Sequence, residues 1–288
     1  MYYRICHQTT YTYNRSVLLK PHIVRLRPRC DSWQTLQHFS IAVEPEPAGI
    51  FHWVDLDGNA IVKLSFQQET DFLKIVLTSE VETRQSNPFN FLLETEALQL
   101  PINYPHSLWL QLQPYLQPYG VSFDPVAVQL AQEIEREVSG QPISFLTALN
   151  QRLYDNCKHI VREEGDPWYP GVTWREGRGS CRDVAVLFME VCRCMGLGAR
   201  FVSGYQEGDI EQERRDLHAW AEVYLPGAGW RGFDPTQGLA VCDRHIAVAA
   251  SAFPRYAAPI SGGFSSGSSL SEVSARLEAQ IAIARGKD

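Results

Sequence analysis

The stretch from Cys181 to Met195 most constrains the fold of this chain, because it is a helix-length run that is apolar on most sides. The apolar residues that cannot share one narrow stripe are Val184, Ala185, Leu187, Phe188, Val191, Cys192 and Met195. A helix that is hydrophobic around most of its surface has to be buried by the rest of the chain. Gly196 and Gly198 end it. The sequence therefore predicts a central helix with other elements packed around it.

Residues 1–86 have the pattern of a small antiparallel β domain. Three candidate strands place alternate residues on one face, namely Tyr3, Ile5, His7, Thr9, Tyr11 and Tyr13, then Phe39, Ile41 and Val43, and then Val62, Leu64 and Phe66. Turn-forming segments separate these strands. The segment 44–49 contains two prolines, and 55–59 has the Asp-Gly-Asn chemistry that reverses a hairpin.

The remaining chain has the pattern of a connector followed by an α+β core. Residues 87–120 contain five prolines and little periodicity, which is typical of a connector along the surface. The region 121–288 is expected to hold the core and a C-terminal tail. Its predicted elements are helices that open at Asp124-Pro125 and Pro142, a loop at 162–180, the central helix, and strands at 199–205, 217–225 and 230–234. The tail after residue 260 is expected to begin as a flexible segment and to end in a short strand or helix.

The composition limits the classes of partner. The chain has 288 residues and a formal net charge of −7, so it has no overall positive field that would hold nucleic acid or an anionic bilayer. Its first residues lack an apolar signal segment, and no apolar run is long enough to span a membrane, so we expect a cytoplasmic protein that makes no membrane contact. Seven scattered cysteines predict no disulfide framework. Small molecules or peptides are the expected partners, and the oligomeric state is left open.

Three residues offer candidate chemistry. Cys181 opens the central helix, where the helix dipole and unpaired backbone N–H groups favour a thiolate and can hold an oxyanion. His218 is a candidate base, and Asp234 is a candidate acceptor that orients it. Each residue alone also has a plainer interpretation, because buried cysteines mostly pack as small apolar groups and Asp-Pro commonly ends a strand.

Several motifs, taken together, resemble one known family. They are residues 179–185, 195–205, 217–230 and 232–236 in the core, 7–13, 26–29 and 55–59 before it, and 243–248 and 258–264 after it. In this order they resemble the bacterial transglutaminase-like cysteine enzymes, and in particular the two-domain group with an N-terminal β region.

The resemblance implies a papain-like α+β core, preceded by a small antiparallel β domain, with a triad formed by Cys181, His218 and Asp234. No cofactor or metal is expected, because the acidic series that binds calcium in other members is not found. Cys192 and Cys194 point about 200° apart on a helix and cannot share a metal ion. Two departures from the family pattern concern only the shape of the pocket: the short segment before Cys181, and Val184 in place of an aromatic residue.

Strand register supplies a prediction that coordinates can test. If Tyr224 pairs with Trp230, Asp234 lies opposite Trp220 and diagonal to His218 on the same face of the sheet. If Leu225 pairs with Trp230 instead, Asp234 points away from His218. A working triad requires the first register. Trp220 and Trp174 are then the expected walls of the acyl pocket, where they would contact the substrate.

Three functions are compatible with the sequence. The leading hypothesis is a cysteine hydrolase that cleaves an amide or peptide bond of a peptide or protein substrate through a thioester. The second is an acyltransferase that cross-links a glutamine side chain to an amine. The third is a non-catalytic module that keeps the fold and binds a peptide.

Overall fold

The computed structural model describes residues 1–162, 165–208, 216–265 and 273–286, which form antiparallel sheets and a smaller number of helices. The N-terminal strands are β1 (Tyr2–Leu19), β2 (His22–Val24), β3 (Gln34–Glu44), β4 (Gly49–Val54), β5 (Ala60–Ser65) and β6 (Glu69–Thr83). The middle of the chain forms α1 (His106–Leu112), α2 (Pro125–Glu137), α3 (Pro142–Asn156), β7 (Lys158–His159), α4 (Pro170–Glu176), β8 (Arg178–Gly179) and α5 (Cys181–Cys194). The last strands are β9 (Ala199–Gln206), β10 (His218–Leu225), β11 (Gly229–Asp234), β12 (Leu239–Ala240), β13 (His245–Ser251), β14 (Ile260–Ser261), β15 (Phe264–Ser265) and β16 (Ala275–Arg285).

The N-terminal strands form two antiparallel sheets, as the period-two pattern predicts. β6 lies between β1 and β3 in one sheet, and β5 lies between β2 and β4 in the other. Alternate residues of β1 are buried, including Tyr3, Ile5 and His7, because successive side chains of a strand point to opposite faces. The carboxylate of Asp55 accepts hydrogen bonds from the N–H groups of residues 57 and 59, which closes the predicted hairpin turn between β4 and β5.

The central helix α5 packs on a five-stranded sheet with the order β12-β11-β10-β9-β13. Every residue of α5 from Asp183 to Arg193 is buried, which confirms the prediction of a central helix. The helices α2, α3 and α4 surround it. Asp124 caps α2 by accepting a hydrogen bond from the N–H of Val126, as its place before Pro125 predicts.

The segment 162–180 contains regular structure where a loop was predicted. Pro170 starts α4 in its first turn, and Gly177 ends that helix with a left-handed φ of 60°. Both residues are ordinary helix boundaries, but the seven residues of α4 are too few to show a helical period. The predicted connector likewise contains the short helix α1.

The described strands of the C-terminal tail join the N-terminal sheets. β16 pairs with β1 from Tyr3 to Tyr13, β15 pairs with the end of β1, and β14 pairs with β2. The grouping of residues 121–288 as one region stays a prediction, and the tail strands within it make their hydrogen bonds to β1 and β2. Alternation along a strand shows which face is buried, but it does not show which sheet edge the strand joins. No described helix is both long and apolar enough to cross a bilayer.

Candidate active site

Cys181 is the first residue of α5, and its neighbours form a tight N-terminal cap. The side chain of Ser180 and the carboxylate of Asp183 make a capping box, in which the Asp183 carboxylate accepts from the N–H of Ser180 at 2.7 Å. A Cβ atom at Gly179 would lie 2.9 Å from the Cβ of Asp183, so glycine is required for this close approach. The cap holds the half-buried thiol of Cys181 at the positive end of the helix.

The carboxylate of Asp183 is held by further donors. Arg162 Nη1 and the N–H of Trp168 donate to its Oδ1 at 2.6 and 2.7 Å. Burial would raise the pKa of Asp183, but hydrogen bonds from Trp168, Arg162 and Ser180 outweigh burial, and the pKa falls below its usual range. The charged carboxylate therefore fixes the turn that carries Cys181.

The register of β10 and β11 brings His218 and Asp234 together. Tyr224 pairs with Trp230, which confirms the register that a triad requires. Gly227 and Gly229 adopt φ values of 85° and 72° in the turn, a conformation that favours glycine. The Nε2 atom of His218 lies 2.6 Å from Oδ2 of Asp234. The other ring nitrogen of His218, Nδ1, is left for Cys181.

Asp234 accepts hydrogen bonds on both of its oxygens and is fully buried. Its Oδ1 accepts from the N–H groups of Thr236 and Gln237, and its Oδ2 also lies 3.2 Å from Nε2 of His245. Burial alone would raise the pKa of Asp234, but the charge and hydrogen bond of His218 outweigh it and lower that pKa. Asp234 is therefore a fixed carboxylate that faces two imidazoles.

The charges at the site favour a thiolate and an imidazolium. Burial of the thiol would raise its pKa, but hydrogen-bonding contacts with His159 and His218 outweigh burial and lower the pKa of Cys181 to about 6. Burial of His218 would lower its pKa, but the charge of Asp234 outweighs burial and raises that pKa to about 10. Between these values a thiolate and an imidazolium coexist, which is the reactive state of a cysteine nucleophile.

The two predicted pocket residues occupy different places. The side chain of Trp220 is 1% exposed and packs beside the rings of His218 and His245, with centroid distances of 6.3 and 5.3 Å. Trp220 therefore backs the imidazoles from inside the protein. Trp174 lies on α4, half-buried against the main core. Their contact with a substrate stays a prediction.

Two histidines that were not predicted from the sequence lie at the site. His159 is within hydrogen-bonding reach of the Cys181 thiol, and His245 is bonded to Asp234. The motif 243–248 was noted without a role and contained His245. His159 had no signal of its own, because it lies in a two-residue strand far from the motifs of the core.

Among the described residues, His218, Asp234 and His245 form a group whose ligand atoms lie within 4.8 Å of one another. Two imidazoles and a carboxylate are ligands that zinc accepts. A metal ion there would replace the N–H bonds that both rings make with Asp234. The donor set can therefore hold a metal only by giving up the hydrogen bond that orients His218.

Two family models match the chain. The model described as the bacterial transglutaminase-like N-terminal region matches residues 3–82, and the model described as the transglutaminase-like superfamily matches residues 128–235. The second match contains Cys181, His218 and Asp234.

Similar proteins cover the chain to different extents. An uncharacterized protein of Mycobacterium leprae is 24% identical over 270 residues, which cover 91% of this chain and 92% of that protein. A protein-glutamine gamma-glutamyltransferase of Pseudomonas aeruginosa is 30% identical over 153 residues, which cover 47% of this chain but 21% of that enzyme. The crystal structure of a candidate cysteine protease from Cytophaga hutchinsonii has a TM-score of 0.72 at 20% identity and covers 100% of this chain and 92% of that chain. This last likeness extends over both sheet regions and confirms the predicted α+β fold class.

Proposed function

This chain belongs to the bacterial transglutaminase-like family, and from that premise we propose that it hydrolyses amide or peptide bonds through a thioester on Cys181. The observation that carries the proposal is the 2.6 Å contact between His218 Nε2 and Asp234 Oδ2, on a ring whose other nitrogen serves Cys181. The proposed substrate is a peptide or protein.

The first half of the proposed reaction makes the thioester. The Cys181 thiolate attacks the carbonyl carbon, and the backbone N–H groups at the start of α5 stabilise the oxyanion. The imidazolium of His218 gives its proton to the leaving amine as the C–N bond breaks. Asp234 holds the ring and stabilises its charge throughout this step. The amine departs, and the acyl group stays on sulfur.

The second half returns the enzyme to its starting state. A water molecule attacks the thioester carbon, an imidazole at the site takes its proton, and the C–S bond breaks to release a carboxylic acid and the thiolate. The proton taken from water restores the imidazolium of His218. The lowered pKa of Cys181 supports this step, because sulfur leaves as a stable thiolate near neutral pH.

Acyl transfer is the second candidate function. The Pseudomonas aeruginosa relative is named a protein-glutamine gamma-glutamyltransferase, and its similarity lies over 47% of this chain. If a primary amine attacks the same thioester in place of water, the product is a new amide and not a carboxylic acid. The third reading, a peptide-binding module, is disfavoured because binding alone gives no reason to bury a charged carboxylate between two imidazoles.

A peptide library with a mass-spectrometric readout tests the proposal, and it is run with and without an added primary amine. Cleaved peptides in both conditions support hydrolysis, and products with the amine attached support acyl transfer instead. Neither product, together with labelling of Cys181 that is no faster than that of other exposed thiols, would favour the binding module. The predicted cytoplasmic location is tested separately by cell fractionation.

A further inference from the structure

The imidazole of His159 carries no assigned proton transfer in the reaction described above. His159 belongs to β7, which pairs in parallel with β8, so that His159 lies opposite Gly179. The N–H of Lys158 donates to the carbonyl of Gly177 at 2.8 Å, and the N–H of Ile160 donates to that of Gly179 at 3.0 Å. Paired strands lie about 4.8 Å apart. The main chain thus sets His159 beside the residues that lead into the nucleophile.

The two imidazoles near the thiol are held differently. The His218 ring is bonded to Asp234, and its side chain is 11% exposed. His159 is exposed, and it lies close enough to the Cys181 thiol to help lower the pKa of that thiol. The first ring is fixed inside the protein. The second lies on an exposed strand beside the residues that lead into Cys181, where it can meet a molecule that arrives from solvent.

Resting on the proposed thioester reaction, we propose that His159 is a second catalytic imidazole, which takes the proton of the acyl acceptor while His218 serves the leaving amine. The acceptor, water or a primary amine, approaches the thioester from solvent, which is the side where His159 is exposed. An imidazole is an effective base near neutral pH. If His218 serves the leaving amine and His159 serves the acceptor, the His218 ring can keep its orientation against Asp234 throughout the cycle.

After the amine has left with the proton of His218, the acceptor attacks the thioester carbon and gives its own proton to a nitrogen of His159. The new C–O or C–N bond forms as the C–S bond breaks, and sulfur leaves as the thiolate. The proton on His159 then returns to His218 through solvent, which restores the thiolate and the imidazolium.

Burst kinetics with p-nitrophenyl acetate separate the two halves. The nitrophenolate released in the first turnover reports formation of the acetyl thioester, and steady-state release reports its breakdown. The variant His159→Gln keeps a polar group near sulfur but cannot act as a base. We expect its burst rate to stay within about threefold of wild type while its steady-state rate falls about tenfold or more, in line with the usual worth of a general base. His106→Gln, an exposed histidine on α1, is the matched control and should change neither phase.

Two results would overturn this role of His159. An unchanged steady-state rate in His159→Gln would show that His218 serves both halves. An equal loss in both phases would show that His159 only activates the thiol. Failure of the thioester reaction itself is distinct, because wild-type protein would then give no burst that depends on Cys181.

Discussion

Two enclosed histidines in this molecule have different partners and different charges. His7 is 1% exposed, and its ring nitrogens are 2.9 Å from the hydroxyls of Tyr205 and Thr9. His218 is also largely enclosed, but its ring faces the carboxylate of Asp234. Burial lowers the pKa of His7 to about 4, whereas the charge of Asp234 outweighs burial at His218 and raises its pKa to about 10. The charge of the partner, and not burial, decides which ring carries a proton at neutral pH.

The different charges of His7 and His218 match different roles, one structural and one chemical. His7 on β1 and Tyr205 on β9 join the N-terminal sheet to the core sheet through neutral hydrogen bonds. His218 keeps a positive charge beside the thiol that it activates. Substitutions at the two places should therefore affect different measurements, stability at one and reactivity at the other.

The largest expected effect on turnover comes from removing the Cys181 thiol, which lies beside the charged ring of His218. Cys181→Ala should reduce amide hydrolysis to the background rate and leave the fold intact, because alanine fits at the start of α5. Turnover measures the loss of hydrolysis, and thermal unfolding measures whether the fold stays intact. Comparable turnover in the variant would contradict the nucleophile, and an unfolded variant would show that the residue mainly packs.

The next effect comes from giving His218 a neutral partner, as His7 has. Asp234→Asn removes the charge that raises the pKa of His218, so turnover should fall by about 10²–10⁴-fold. The melting temperature should fall much less, since the amide keeps the shape of the carboxylate. Asp155→Asn, on the exposed side of α3, is the control. A sharp loss of melting temperature with unchanged turnover would show that Asp234 and His218 serve stability and not catalysis.

The pH profile of alkylation sharpens the comparison without a mutation. The pKa of Cys181 is lowered to about 6, so its thiolate forms as the pH rises through that value. At pH 5 about a tenth of the thiol should react as thiolate. The rate with iodoacetamide, followed by peptide mass spectrometry at residue 181, should rise to a plateau and change again near pH 10, where His218 loses its proton. A single rise near pH 8.5, as for an ordinary thiol, would contradict the ion pair.

The smallest effect on reactivity belongs to His7→Gln, which should leave alkylation of Cys181 unchanged. Its effect is on stability in acid. Because the pKa of His7 is lowered, the unfolded chain takes up a proton between pH 6.5 and about 4 that the folded chain does not, and the free energy of unfolding falls over that range.

Glutamine removes this contribution, so the acid-dependent loss of stability should shrink by up to about 3 kcal/mol. Urea unfolding at pH 7 and pH 4.5 measures the loss, with His106→Gln as the exposed control. An equal loss in wild type and His7→Gln would mean that His7 is protonated in the folded protein.

Local sequence determined the parts of this protein that depend on near neighbours. The apolar circumference of 181–195 predicted a buried helix, and alternation predicted the β region that precedes the core. Residue numbers left two registers open for β10 against β11, and the requirement that Asp234 face His218 selected the one that the structure shows. The papain-like α+β core and the triad were expected from the resemblance of several motifs, in their order along the chain, to one family.

Tertiary structure alone decided the contacts between segments that are distant in the sequence. His159 reaches Cys181 because β7 pairs with β8, and His245 reaches Asp234 because β13 joins the same sheet from its other edge. The tail strand β16 pairs with β1 at the opposite end of the chain. Alternation states which face of a strand is buried, but the choice of partner depends on loop paths and on packing that no local pattern records. For that reason the sequence predicted one imidazole at the nucleophile, and the folded chain places two there.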